Sequence, residues 1–298
     1  MTPDDFKLLA DLLKERSGLA LNEDKTYLLE SRLAPVARKH GLTGLDDLVG
    51  EIRSKRPEGL IHAVTEAMTT NESFFFRDTT PFDVFEKVVM PEFLQSRAGA
   101  KRLRIWSAAC STGQEPYSLA MVLKEMAAKL ADWRIEIVGT DISGEVLEKA
   151  KVGIYSQFEV QRGLPIQLLM KYFAQVNELW QVDAALRAMV SYREFNLLKD
   201  LKPLGKFDVV FCRNVLIYFD QATKAQVLKG ISEILTDDGC LFMGAAETVL
   251  GITDTFKPVP GQRGVYAKTG APEAAPRPLP AAAAASAVPR PAAVATAT

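Results

Sequence analysis

From about residue 79 onward, apolar runs of strand length alternate with amphipathic stretches of helical length, and this alternation limits the possible folds more than any other feature. RLRIWSAA is followed by SLAMVLKEMAAKL, RIEIVGTD by SGEVLEKAK, and KFDVVFCRN by QATKAQVLKGISEIL, with MVSYREFN and CLFMGAAE as further runs. Strands separated by helices pair in parallel, so the pattern predicts an α/β fold with a doubly wound, Rossmann-like sheet. Thr80-Pro81 with Asp83 reads as the start of a helix over PFDVFEKVVMPEFLQ. Asp237-Asp238-Gly239 reads as a turn, and GQRGVYAK as an added edge strand.

Residues 2 to about 68 follow a helical pattern instead. Thr2-Pro3 puts a capping hydroxyl before a proline at the first helical position, Asp4 and Asp5 suit the helix dipole, and Phe6, Leu9 and Leu13 form one apolar face. KTYLLESRLAPVARKHG, LDDLVGEIRSK and EGLIHAVTEAM supply three more helices. The expected division is a small all-helical domain over 1–70, a linker and active-site segment over 71–85, and the sheet domain over 86–268. A mixed stretch at about 153–190 interrupts the sheet domain and reads as an insertion between sheet strands, a helix plus a small hairpin. The Ala/Pro-rich residues 269–298 lack the apolar variety to build a core and are expected to be a disordered tail.

Composition narrows the function classes. The 298 residues are 48% hydrophobic and 24% charged, with net charge −1. The balance argues against general nucleic-acid binding, and no apolar run approaches the ~20 residues that span a bilayer. The N-terminus is charged and does not read as a secretory signal. Three scattered cysteines and two histidines suggest neither a disulfide framework nor a metal site. A reduced, cytoplasmic protein without membrane insertion is expected.

In open α/β sheets ligands sit beyond the carboxyl ends of the strands. Here the first strand leads into Ser107–Gly113, a loop of small residues with Glu115 in the following first turn. The next ends at Asp141, another is followed by Asn196, and FDVVFC by Arg213 and Asn214. Each has a local explanation: Asp141 as a helix cap, Glu115 as a favourable charge at a helix start, Asn196 as a turn residue, Arg213-Asn214 as a strand-end ion pair and cap. Their coincidence at one rim favours a pocket of adenosine type, with Asp141 placed to accept hydrogen bonds from ribose hydroxyls. The first loop carries one glycine and lacks the dinucleotide fingerprint, which disfavours a nicotinamide-dependent dehydrogenase. TNESFFFRD poses a separate problem, because neither helical nor strand periodicity buries Phe74, Phe75 and Phe76 in succession. The expectation is a segment wedged between the helical and sheet domains, with apolar surface on more than one side.

TNESFFFR, WSAACSTGQEPYSLA, VGTDISGEVLEKAKVGIY, REFNLL, FDVVFCRNVLIYF and ILTDDGCLFMGAAE, in that order, resemble the chemotaxis receptor methyltransferases, the CheR family. The resemblance covers roughly residues 4–268. It implies transfer of a methyl group from S-adenosylmethionine to glutamate carboxylates of chemoreceptor helices, and a helical domain joined to a catalytic domain with an inserted β-subdomain. It also implies that Asn71, Ser73, Arg77, Glu115, Asp141, Asn196, Leu197, Arg213, Asn214 and Val215 contact the cofactor. By the same resemblance Arg77 and Tyr218 are expected at the methyl-transfer site, with the phenylalanine rings keeping Asn71, Ser73 and Arg77 aimed at the methyl donor. Ser73 replaces a threonine often found in the family, and Gln114 stands where many relatives carry a second glutamate.

Two partner questions accompany the resemblance. Residues 25–56 carry seven positive side chains (Lys25, Arg32, Arg38, Lys39, Arg53, Lys55, Arg56) against Glu30, Asp46, Asp47 and Glu51. This is either a solvated helix surface or a site that docks glutamate-rich receptor helices, with Arg32 and Arg38 as the candidates. Some relatives bind a receptor C-terminal peptide through a glycine-containing loop of the β-subdomain. YFAQVNELWQVDAALRAMV lacks those glycines, so no tether is expected. Two other readings stay open: a methyltransferase acting on a small-molecule carboxylate, and a cofactor-binding signalling module without turnover.

Overall fold

The computed structural model describes residues 1–270, so all but the first two residues of the expected Ala/Pro-rich tail lie outside the described residues. The N-terminal helices are α1 (Pro3–Ser17), α2 (Thr26–Lys39), α3 (Leu45–Lys55) and α4 (Glu58–Met68). Thr2 and Asp5 form a reciprocal capping box at the start of α1, and Gly18 ends it in the left-handed conformation. Their apolar faces meet in a core of their own around Leu9, Leu13, Leu29, Leu33, Leu48 and Val64. Pro35 lies inside α2 without ending it.

A helical stretch then runs through α5 (Thr80–Val84), a π-helical turn (Phe85–Val89) and α6 (Met90–Ser96). The alternating units follow: β1 (Arg102–Ala108), α7 (Gln114–Glu125), β2 (Arg134–Asp141) and α8 (Gly144–Val152). The insertion holds β3 (Ile154–Ser156), α9 (Gln157–Gln161), α10 (Ile166–Tyr172), β4 (Phe173–Val176), β5 (Leu179–Val182) and α11 (Ala184–Arg187). Within it, β3, β5 and β4 form a separate antiparallel sheet. The hairpin anticipated there is β4–β5, turning at Asn177 with φ 56°. The main sheet resumes with β6 (Val190–Glu194) and β7 (Phe207–Cys212), then α12 (Gln221–Ile234), β8 (Leu235–Met243), β9 (Phe256–Pro258) and β10 (Val265–Lys268).

The main sheet has the order β6-β2-β1-β7-β8-β10-β9. Its first five strands are parallel, and the last two pair antiparallel. Two sequence expectations change here. Asp237-Asp238-Gly239 does not turn the chain but lies inside β8, where the register against β7 shifts between Phe207 and Val209. Strand β10 is not the edge, because β9 closes the sheet beyond it and places Pro258 where a missing N–H costs least. The strands alternate cleanly: Leu103, Ile105, Val209 and Phe211 face one core, Trp106, Ala108, Val210 and Cys212 the other. Both faces are buried, as a parallel sheet requires. Among the described residues, no helix is long and apolar enough to cross a membrane.

The phenylalanine run divides among three environments. Phe75 is fully buried and meets Tyr155 and Phe173 edge-on at centroid distances of 5.0 and 5.5 Å. Phe76 packs on Phe82, and Phe74 lies under the guanidinium of Arg162 at 4.4 Å. The segment is therefore wedged between the sheet domain and the insertion, not against the helical domain as expected. The reason is that the insertion supplies the aromatic pocket. Gly163 (φ +84°) makes room, since a Cβ there would lie 2.1 Å from the Phe75 carbonyl oxygen. Phe75→Ala should cost about 3–5 kcal/mol in urea unfolding and should weaken binding of S-adenosylhomocysteine. Normal binding by a folded variant would reduce the ring to ordinary core.

Candidate functional site

The chain runs outward from β1 through β2 to β6, then returns to place β7 beside β1. This reversal leaves a crevice at the carboxyl ends of β1 and β7. A cavity occupies it, and all of the candidate cofactor and catalytic residues line it: Asn71, Ser73 and Arg77 from the linker segment, Glu115 and Asp141 from the first two units, Asn196 and Leu197 after β6, and Arg213, Asn214, Val215 and Tyr218 after β7. The helical domain contributes Ser17, Leu19 and Met68 to the same wall. Arg32 and Arg38 do not line it.

The loop after β1 is tightly wound, with positive φ at Ala109, Ser111 and Gly113. That winding points the Ser111 N–H at Asp141 Oδ2 (2.8 Å), while the Ser143 N–H reaches Oδ1 (3.1 Å). Asp141 does not cap α8, whose N-cap is Ser143; its bond to the Ser143 N–H is a local turn contact, and the Ser111 bond ties the ends of β1 and β2 together. Asp141 is 5% exposed, and burial pushes its carboxyl above the ordinary value against the pull of these amides.

Arg213 is the charged centre of the site, with its side chain 1% exposed. It donates to Glu115 Oε2 (2.8 Å), to the Arg77 carbonyl (2.7 Å) and to Asp78 Oδ2 (2.7 Å). Glu115 Oε1 accepts from Ser107 (2.8 Å). One guanidinium thus joins β7, the start of α7 and the linker segment. The segment needs such a hold, because Phe76, Asp78 and Thr79 all adopt positive φ. Further ties come from Ser118, which accepts the Phe76 N–H (3.0 Å), and Ser111, which donates to the Asn71 carbonyl (2.7 Å). Arg77 donates to the Glu72 carbonyl (3.0 Å), with its guanidinium 5.4 Å from the Phe74 ring.

The helical domain is fastened to this rim. The Asn196 amide donates to the Arg16 carbonyl at the end of α1 (2.6 Å) and accepts from Leu198 (3.0 Å). Leu19 bridges Phe219, and the Ala20 N–H donates to the Tyr218 carbonyl (2.9 Å). Glu66 of α4 accepts from the Gly144 N–H at the start of α8 (2.9 Å). Arg32 donates to the carbonyls of Met68 and Thr69 (both 2.9 Å), satisfying the end of α4 where the linker departs. Arg38 is exposed and, among the described residues, makes no ion pair, whereas Arg53 and Lys55 pair with Asp5 and Glu51.

Residues 71–265 match the family description "CheR methyltransferase, SAM binding domain", and residues 4–69 match "CheR methyltransferase, all-alpha domain". The chain belongs to the CheR methyltransferase family. It is 42% identical over 265 residues to the chemotaxis protein methyltransferase Cher2 of Pseudomonas putida, covering 88% of this chain and 96% of that one. It is 43% identical, with the same coverage, to chemotaxis protein methyltransferase 1 of Pseudomonas aeruginosa. With the Escherichia coli chemotaxis protein methyltransferase it shares 36% identity over 247 residues, 81% of this chain and 83% of that one.

A member of this family is a methyltransferase that uses S-adenosylmethionine, and the residues of the cavity fit that molecule. A buried carboxylate at Asp141 suits a vicinal diol, the apolar sides of Phe195, Leu197 and Val215 suit an aromatic base, and the carboxylate of Glu115 suits a cationic group. Two contributors went unassigned in the sequence. Glu247, in the GAAE run, binds the backbone after β7, and Asp78 completes the Arg213 network. Position at a strand end was the available signal for Glu247; Asp78 had none.

The raised pKa of Asp141 has a pH consequence. Its free-state pKa lies above that of an unperturbed carboxyl, and hydroxyl donors from a bound ribose would favour the ionised form. Binding then releases a proton within that window, so S-adenosylhomocysteine affinity should rise with pH and level off above the free-state pKa. For folding the sign is opposite: this group's contribution is present below its unfolded pKa and is lost as pH rises through the folded one. Calorimetric titrations in buffers of different ionisation enthalpy, on wild type and Asp141→Asn, check this. Identical pH dependence in both would rule Asp141 out.

Proposed function

We propose that this protein transfers the methyl group of S-adenosylmethionine to glutamate side chains of chemoreceptor cytoplasmic helices, forming the methyl esters of chemotaxis adaptation. One observation carries the reading: residues from four separate strand ends and from the linker, each tied to methyl transfer by family resemblance, converge on one cavity. The relatives named as chemotaxis protein methyltransferases, aligned along more than four fifths of their own length, support it. A receptor substrate of this kind places the protein in the cytoplasm.

The chemistry asks for alignment more than for proton transfer. A glutamate carboxylate has a pKa of about 4.3 and is already ionised at neutral pH. When bound, S-adenosylmethionine supplies an electrophilic methyl group whose sulfur leaves as a neutral thioether. The carboxylate oxygen forms the new bond to carbon, and no proton has to move. Arg77 holds the incoming carboxylate through its guanidinium fork, and Tyr218 donates a hydrogen bond to it. The Arg213–Glu115–Asp78 network holds the Arg77 backbone in place. The absence of histidine from the cavity lining suits this scheme.

Incubation with S-adenosylmethionine and receptor cytoplasmic domains, followed by mass mapping of base-labile esters, should place methyl groups on glutamates. Tyr218→Phe should lower kcat by roughly 10–100-fold, the loss of one hydrogen bond to a charged group, while leaving S-adenosylhomocysteine affinity within about threefold. Removing the receptor's C-terminal peptide should not change the rate, in keeping with the tether-free reading. Methylation of small carboxylic acids alone, or binding without turnover, would overturn the assignment.

Receptor docking rests on α2. Arg38 is exposed on it, while Arg32 also supports the end of α4. Arg38→Glu should raise KM for receptor several-fold at low salt, with kcat and cofactor affinity unchanged. An unchanged KM would remove α2 from the docking surface.

A further inference from the structure

Glu247 makes an unusual set of contacts for a side chain that does not line the cavity. It lies just beyond β8, and its carboxylate accepts five backbone N–H groups. Oε1 takes those of Val215 (3.0 Å), Leu216 (2.8 Å) and Ile217 (3.3 Å). Oε2 takes those of Asn214 (2.8 Å) and Gly244 (2.7 Å). Four of the five donors belong to the segment that follows β7 and enters the 3₁₀ turn Leu216–Tyr218, the stretch that presents Asn214, Val215 and Tyr218 to the cavity.

Successive N–H groups pointing into one concavity form an anion-binding nest, and here a side chain of the same protein fills it. Asn214 sits at φ 59°, in the left-handed region that asparagine tolerates better than most residues. Gly244 allows the close approach, since a Cβ there would lie 2.7 Å from Glu247 Oε2 and 2.8 Å from Asn214 Nδ2. We propose that Glu247 is a positioning residue for methyl transfer. Its charge winds residues 214–218 into the shape that holds Asn214 and Val215 against the cofactor and Tyr218 at the reacting carboxylate. The proposal rests on the methyltransferase assignment but not on the identity of the methyl acceptor.

The role depends on charge and not on volume, and the two predict opposite orders among variants. Glu247→Gln keeps the shape but turns a donor toward N–H groups. Glu247→Asp is smaller but keeps the anion. Calorimetry with S-adenosylhomocysteine, which needs no methyl acceptor, should show at least tenfold weaker binding for Glu247→Gln. Glu247→Asp should recover part of that loss, and kcat should follow the same order. Leu228→Ala, on the buried face of α12 and outside the cavity lining, should lower stability while the folded protein keeps wild-type affinity. Wild-type affinity in Glu247→Gln, or an affinity for Glu247→Asp below that of Glu247→Gln, would overturn the proposal. If the variants do not fold, hydrogen exchange on the wild type decides. The amides of Val215, Leu216 and Ile217 should be strongly protected without cofactor, although Ile217 is exposed, and exchange at free-loop rates would refute the anchor.

Discussion

The site depends on the buried guanidinium of Arg213. A positive charge with a 1% exposed side chain is tolerable only with close compensation, and Glu115, Asp78 and the Arg77 carbonyl provide it. These partners come from α7 and the linker segment, so satisfying one charge also fixes the relative positions of three chain segments. Arginine suits the task because its planar fork reaches two carboxylates and a carbonyl at once, which a lysine ammonium on a flexible stem would not hold in one geometry. The strained backbone at Phe76, Asp78 and Thr79 persists beside it, held on the other side by Phe75 in its aromatic pocket.

The helical domain is part of the same arrangement. Its core is separate, yet its α1 end, its α4 end and the residues after α1 all bond to the rim of the catalytic sheet. The Lys14–Asp220 pair (2.7 Å) adds a charged tie to the start of α12, and it holds the Asp220 carboxyl well below its usual range. Cavity residues thus come from both domains.

Much of the fold was legible because it follows from local rules. The α3 and α4 stretches match their expected spans, and α12 does so to within one residue. The buried parallel strands were marked by their apolar runs and intervening helices. What failed to show depended on pairing between distant segments. The Asp237–Gly239 stretch has turn composition, but pairing across the sheet carries it straight through as an irregular strand. The Phe75 ring could have faced either neighbour, and Tyr155 and Phe173, which decide the matter, lie 80 and 98 residues further on. Arg32 looks like surface charge in sequence, and only the meeting of α2 with the end of α4 gives it carbonyls to hold.

The sequence by itself determined the class of fold, the strand ends that carry chemistry and, through family resemblance, the identities of the cavity residues. Those properties reside in periodicity and in residue type at strand termini. The tertiary structure alone decided which groups compensate Arg213, why Asp141 titrates high, and that Glu247 gathers the amides after β7. Each of these depends on burial and on distances between residues far apart in the chain, and neither is written in the order of the amino acids.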